Sequence, residues 1–312
     1  MPVLVVGSVA LDSVETPFGK REDILGGSAT YFSMAASFFS PVRVVAVVGD
    51  DFPDAHLKML KDRGVDLAGL SKRTGRTFRW KGKYTAHALN EAQTLDTQLN
   101  VFETFEPELP DTYKATPFVF LGNIDPVLQA KVLDQIAKPT LVAADTMNFW
   151  IRGKLDELKK TLSRVNLLFV NDTEARELAG ESNVVRAVRR IMDLGPKTVA
   201  VKRGEYGALL FHGEKVFSAP AFPIADVYDP TGAGDSFAGG FMGYLARCGE
   251  VTEDHLRRAT IMGSVMASFA VEGFSMDRVK VLTEPEISAR FGSFRTLTQF
   301  EELAPGSLRQ VG

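Results

Sequence analysis

The residues best suited to chemistry in this 312-residue chain lie between Asp229 and Leu245, in the run DPTGAGDSFAGGFMGYL. Asp229-Pro230-Thr231-Gly232 reads as a turn, and from Gly234 onward the apolar positions Phe237, Phe241, Tyr244 and Leu245 follow a helical period. The stretch predicts a glycine-rich turn opening into a helix, with Asp235 in the first turn. The first amides of a helix lack intrahelical acceptors, and the macrodipole adds positive potential there, so such an end attracts anions. A carboxylate beside it suits phosphoryl transfer. Asp235 would take the proton of an attacking hydroxyl while the amides of Gly232, Ala233 and Gly234 hold charge on the moving group. The glycines allow close backbone approach because no Cβ intervenes. The same pattern also describes an ordinary helix start with a favourable first-turn Asp.

Further candidate groups stand where predicted strands end. Val3 to Val6 reads as a buried strand, and Asp12 follows it in a position that fits a ligand group or a turn. Gly26-Gly27 precede a helix of small residues that carries Tyr31. Asp145 and Asn148 follow the strand Thr140 to Ala144, and they also fit a turn with a helix cap. Asn171 and Glu174 follow the strand Leu167 to Val170; their spacing puts both on one helical face and equally makes a normal capping pair. Lys202 and Gly204 follow the strand Thr198 to Val201, where the lysine could meet a phosphate or be a surface charge.

These positions must be held by a large scaffold, and composition supplies one. Hydrophobic residues make up 45% of the chain, enough for a large core. The net charge of -3 gives no support to nucleic-acid or membrane-surface binding. The single cysteine, Cys248, excludes an intrachain disulfide and a cysteine-cluster metal site. No apolar run approaches a membrane span and the N-terminus lacks a signal-like pattern, so a cytoplasmic protein is expected.

Near-continuous apolar strands alternating with amphipathic helices from Thr116 onward predict a parallel sheet covered on both faces. Ala259, Gly263 and Ala267 recur on one face of a later helix and predict close packing there. Thr77 to Tyr84 instead alternates: Phe78, Trp80 and Tyr84 share one face of a half-exposed strand, and Arg79, Lys81 and Lys83 the other. The tail beyond Pro285 predicts a short docked helix, and 305–312 should fray.

The run DPTGAGDSFAGGF closely resembles the C-terminal signature of the PfkB-type carbohydrate kinases, the ribokinase-like superfamily of sugar and nucleoside kinases. The resemblance extends through nearly the whole chain, 1–312, as one kinase domain. It implies a ribokinase-like three-layer α/β/α fold, with a central mostly parallel sheet and a small β lid near 12–23 and 69–104. It implies transfer of the ATP γ-phosphoryl group to a primary hydroxyl of a small sugar. In that scheme Asp235 is the base and Gly232, Ala233 and Gly234 form the anion hole. Asp12, Gly26, Gly27, Tyr31 and Asn148 attend the acceptor, while Asn171, Lys202, Gly204 and Thr231 attend ATP. Glu174 helps organise Mg2+, and a monovalent cation such as K+ is an optional addition. The partners implied are the small molecule, ATP and a second copy joined through the lid. Two departures stand out: Tyr31 occupies a place where an asparagine is common, and Asp145 and Asn148 match the Asp-Pro-Asn of ribokinases with one extra residue between them. The tyrosine leaves open a differently shaped sugar or a nucleoside of the adenosine, inosine or cytidine type. A sugar-phosphate kinase, using Arg79, Lys81 and Lys83, and a catalytically silent metabolite-binding protein are the other readings.

Overall fold

The computed structural model describes residues 1–86 and 88–304, so the expected fraying at 305–312 lies outside the described residues. The chain begins with β1 (Val3–Val6), β2 (Ala10–Thr16), β3 (Gly19–Gly26), α1 (Ser28–Ala36), β4 (Val42–Gly49), α2 (Asp54–Asp62) and β5 (Val65–Arg73). Then come β6 (Phe78–Thr85), β7 (Ala88–Gln98), β8 (Phe118–Leu121), α3 (Pro126–Leu133), β9 (Leu141–Asp145), α4 (Asn148–Gly153), α5 (Leu155–Leu162) and β10 (Leu167–Asn171). The remainder is α6 (Asp172–Ala179), α7 (Val184–Met192), β11 (Thr198–Lys202), β12 (Ala208–His212), β13 (Lys215–Ala219), α8 (Ala233–Cys248), α9 (Glu253–Ala270) and α10 (Glu284–Thr298).

A nine-stranded sheet runs in the order β13-β12-β11-β10-β9-β8-β1-β4-β5. The strands from β11 to β5 are parallel, and β12 and β13 form an antiparallel edge. β1 and β8 are buried at every position, as strands covered on both faces must be. Alternation divides their side chains between two cores. Val3, Val5 and Phe120 pack with residues of α1, α8 and α9, while Leu4, Val6 and Leu121 pack with residues of α3, α5 and α7. The result is the expected three layers. Chain order reverses beside β1, and in open α/β sheets ligands bind outside the strand C-termini at such a point.

A second, four-stranded sheet has the order β3-β2-β6-β7, with β2 and β6 parallel. It occupies 10–26 and 78–98. Residues 69–73, expected in the lid, belong instead to β5 at the edge of the large sheet, because Leu67 and Leu70 pack onto the main core. The C-terminal helix is longer than expected, at 15 residues, and buries Ile287 and Phe294. Among the described residues no helix is long and apolar enough to cross a membrane.

α8 is clamped between α1 and α9. A Cβ on Gly239 would stand 2.4 Å from the Phe32 carbonyl oxygen, and one on Gly263 would stand 2.8 Å from that of Phe237. The small-residue face of α9 thus serves helix packing, and the glycines let α8 carry its N-terminus close to the end of β1.

Candidate active site

α8 opens from Gly232, whose φ of 73° is left-handed and favours glycine. Asp229 builds the preceding turn. Its Oδ1 accepts from the Thr231 amide at 2.9 Å and its Oδ2 from the Ser275 amide at 3.1 Å. The Ala233 amide donates to the Pro230 carbonyl at 3.2 Å. The Gly232 and Gly234 amides have no protein acceptor among the described residues, so they remain able to meet an anion. Tyr31 forms the floor: a Cβ on Gly232 would lie 2.1 Å from its ring.

Asp235 lies half-buried in the first turn of α8. Burial, then the charge of Asp145, pushes its carboxyl up to about 7, with Lys202 opposing. Lys202, at the end of β11, donates to Asp145 Oδ2 at 2.7 Å. Its Nζ would stand 3.1 Å from a Cβ on Gly234, so the ammonium borders the anion end of α8. Glu174 is nearby and buried, which raises its carboxyl to about 7. Asn171 and Glu174 form a reciprocal cap, each amide donating to the other's side chain at 2.7 Å. Gly204 has a φ of 55° and faces Asn90 of β7, whose Oδ1 lies 1.9 Å from where a Cβ would be. The turn beside Lys202 therefore requires glycine and touches the small sheet.

On the other side of Asp235, Asp12 is 4% exposed. Burial, then the charge of Asp229, raises its carboxyl to about 8, and the Gly27 amide works against that shift. A Cβ on Gly26 would fall 1.9 Å from Asp12 Oδ2, and one on Gly27, where φ is 94°, would fall 2.5 Å from the Ser8 carbonyl oxygen. Both glycines are steric requirements of this pocket wall. The Tyr31 hydroxyl is buried without a hydrogen-bond partner and is raised well above the ordinary phenol range by burial and by Asp229 and Asp12. Tyr84, from β6, brings a second phenol: Thr231 Oγ1 donates to its hydroxyl at 3.3 Å. Asn148 opens α4 after Asp145, with its Oδ1 buried and unpartnered, and makes no hydrogen bond to the other candidates.

The arrangement brings Asp12, Gly26, Gly27, Tyr31, Thr231, Gly232, Gly234 and Asp235 together, with Lys202, Gly204, Asn171 and Glu174 behind Asp235. Asp229, Tyr84 and Asp145's ion pair with Lys202 join the site beyond what the motifs assign. Asp229 reads in sequence as a turn residue, and nothing local to it signals the bond to Ser275. The alternation that placed Tyr84 on the apolar face of its strand was the available signal for its inward position.

The site's chemistry fits a nucleotide and Mg2+. Open amides and a buried ammonium suit phosphate oxygens. Among the described residues no three His, Cys, Asp or Glu side chains gather into a cage for a metal ion. Mg2+ usually takes one or two carboxylates together with substrate phosphates and water, so Glu174 beside this anion end is a compatible donor.

The raised carboxyls have a consequence for stability. A carboxyl whose folded pKa exceeds its unfolded value stabilises the fold below the unfolded value and loses that effect as pH rises through the folded one. For Asp12 the window runs from 3.8 to about 8. Between pH 5 and 8 the ligand-free protein should lose unfolding free energy, and Asp12→Asn should flatten the slope by up to about 1.4 kcal/mol per pH unit. Chemical unfolding at several pH values measures this, and equal slopes for the two proteins would refute it.

A family model described as pfkB family carbohydrate kinase matches residues 11–276. A cytidine kinase of Thermococcus kodakarensis is 30% identical, over 79% of this chain and 89% of that protein. Among solved structures, adenosine kinase from Sinorhizobium meliloti aligns with a TM-score of 0.76 at 18% identity, covering 93% of this chain and 98% of that one. Aminoimidazole riboside kinase from Salmonella enterica, solved with aminoimidazole riboside and an ATP analog, aligns with a TM-score of 0.72 at 21% identity, covering 93% and 100%. At these identities the solved structures show the shared fold.

Proposed function

Because the chain belongs to the pfkB family of carbohydrate kinases, we propose that it moves the γ-phosphoryl group of ATP to a primary hydroxyl of a small sugar, with Asp235 as base. The observation that carries the reading is Asp235 in the first turn of α8, beside the open amides of Gly232 and Gly234, with Lys202 against Gly234 and Asp12 on the acceptor side. Asp12 and the Gly26-Gly27 backbone orient the acceptor so that its hydroxyl meets Asp235, whose pKa near 7 suits a base at neutral pH. Asp235 accepts the hydroxyl proton as the oxygen attacks. The amides of Gly232 and Gly234, with Lys202, hold the charge on the transferred group. When bound through Glu174, Mg2+ would add positive charge at the phosphates. The four-stranded sheet acts as a lid that excludes water.

Nucleosides are the second acceptor reading, supported by the buried phenols of Tyr31 and Tyr84 at the acceptor side. Of the three cations that could meet a sugar phosphate, Arg79 is held by Asp51 and Asp23 and Lys83 by Glu15, while Lys81 is exposed. β7 is exposed along the lid edge, which suits pairing with a second copy. The test is ADP release with MgATP across sugars, sugar phosphates and nucleosides, with and without K+, confirmed by product mass. A strong preference for one acceptor is expected. Folded protein that binds ATP and phosphorylates no acceptor would favour the silent binding protein.

A further inference from the structure

The ladder between β8 and β9 ends with Leu121 opposite Ala144. The next residues along the two strands are Gly122 and Asp145, and there a side chain takes over from the ladder. Gln129 Nε2 donates to the Gly122 carbonyl at 2.9 Å and to the Asp145 carbonyl at 3.0 Å, so one amide spans the ends of both strands. Both N–H groups of that amide are thereby used, and the residue is 1% exposed. Two carbonyl partners can be met only by the NH2 end of the side chain, which fixes its orientation.

The aim of Gln129 is set by an anchored helix start. Asp125 caps α3 by accepting from the Val127 amide at 2.9 Å, and Pro126 occupies the first helical position. The Pro126 carbonyl accepts from Thr161 Oγ1 of α5 at 2.8 Å, and the Gln129 amide donates to the Asp125 carbonyl at 3.0 Å. Gln129 Oε1, by contrast, is buried and has no hydrogen-bond partner among the described residues. A buried acceptor without a donor opposes folding, so an apolar side chain would serve the core better unless the two donated bonds matter to the site.

One of those bonds goes to the residue that holds Lys202. Asp145 Oδ1 accepts from the Thr146 amide at 2.8 Å and Oδ2 from Lys202 at 2.7 Å, so with Gln129 on the carbonyl every oxygen of Asp145 is held. The other bond goes to Gly122, which lies against the acceptor wall: a Cβ there would stand 2.9 Å from Ser28 Oγ and 3.3 Å from the Gly7 Cα. Gln129 therefore ties the strand end beneath the acceptor wall to the strand end that carries the ion pair.

We propose that Gln129 is a positioning residue of the phosphoryl-transfer site: by clipping β9 to β8 it fixes the Asp145 carboxylate, and through it the Lys202 ammonium beside Gly234. This rests on the phosphotransferase reading above. Gln129 itself touches neither substrate in this scheme, and its effect passes through Asp145.

Gln129→Met keeps the length of the side chain and removes both donors. With MgATP and whichever of D-ribose and cytidine the wild-type protein turns over faster, it should lower kcat by about tenfold or more, toward the roughly 10²-fold that a 1 Å misplacement can cost. The acceptor KM should be nearly unchanged, because Lys202 acts on the transferred group. Gln129→Glu has the same shape and, once protonated, can donate to one carbonyl, so it should lose less; it also carries the comparison if Gln129→Met fails to fold. In an Asp145→Asn background Gln129→Met should have little further effect on kcat, since the carboxylate it positions is gone. An unchanged kcat in Gln129→Met, a loss confined to KM, or fully multiplicative losses in the double variant would overturn the proposal. Trace acetylation with acetic anhydride, read by peptide mass, needs no turnover: Lys202 should be labelled severalfold faster in Gln129→Met than in wild type, relative to Lys61, which is exposed on α2. If the wild-type protein phosphorylates no acceptor, the kinase reading fails, while faster labelling keeps the hold of Gln129 on Lys202; equal labelling overturns that hold as well.

Discussion

Asp235→Asn should lower turnover by about 10²- to 10⁴-fold, the usual contribution of a positioned general base, and leave ATP affinity nearly unchanged. Asparagine matches the carboxylate in shape, so the first turn of α8 and the open amides of Gly232 and Gly234 should survive the change. What disappears is the proton acceptor. The pH profile gives a second check. As the proposed base, Asp235 would have to be ionised to act, and burial with Asp145 nearby places its pKa at about 7. Turnover should therefore rise with pH and level off above that value, and the residual activity of Asp235→Asn should lack this limb. Titration with a non-hydrolysable ATP analogue reports affinity separately. Full turnover in the variant would remove Asp235 from the chemistry, and a large loss of nucleotide affinity would make it a structural support of the anion end.

The features legible in the sequence are those written in short-range pattern. The turn and helix start within 229–245 followed from glycine placement and apolar period, and the parallel strands from runs that are apolar on both faces. Asn171 and Glu174 were legible as a cap, and the structure closes that cap in both directions. What could not be read depends on contacts between distant segments. Lys202 and Asp145 are 57 positions apart, and Thr231 and Tyr84 are 147 apart. No local period encodes either meeting; both follow from the order of strands in the large sheet and the placing of the four-stranded sheet against the start of α8. The sheet to which 69–73 belong was hidden for a related reason. Residues 69–73 are mixed in polarity and resemble the lid strands, and only the packing of Leu67 and Leu70 assigns their strand to the large sheet. Tyr31 was legible as a departure from a common asparagine, but its place beneath Gly232 emerges only when α1 and α8 are brought together.

Lys202 is the cation on which the acidic half of the site depends, and Lys202→Met should show it in stability and in pH dependence together. Lys202 donates to Asp145 at 2.7 Å, and the two side chains are 19% and 6% exposed. Removing one partner of a buried pair costs about 3–5 kcal/mol because the other charge is left uncompensated. The lower part of that range is expected here, since Asp145 keeps a hydrogen bond from the Thr146 amide. Asp145, Glu174 and Asp235 would then face one another without a cation, and the strain is relieved by binding protons. Lys202 is the charge that holds the Asp235 and Glu174 pKa values down, so both should move above about 7. The rising limb of turnover should shift to higher pH, beneath a lower plateau if Lys202 meets phosphate as proposed. Lys202→Met with Asp145→Asn removes both charges, and should recover much of the stability and return the limb toward neutral pH while turnover stays low. Urea unfolding and pH–rate profiles of the two single variants and the double variant make the comparison. If Lys202→Met alone changes neither stability nor the limb, the lysine is a solvated charge and the pairing with Asp145 does not govern the site.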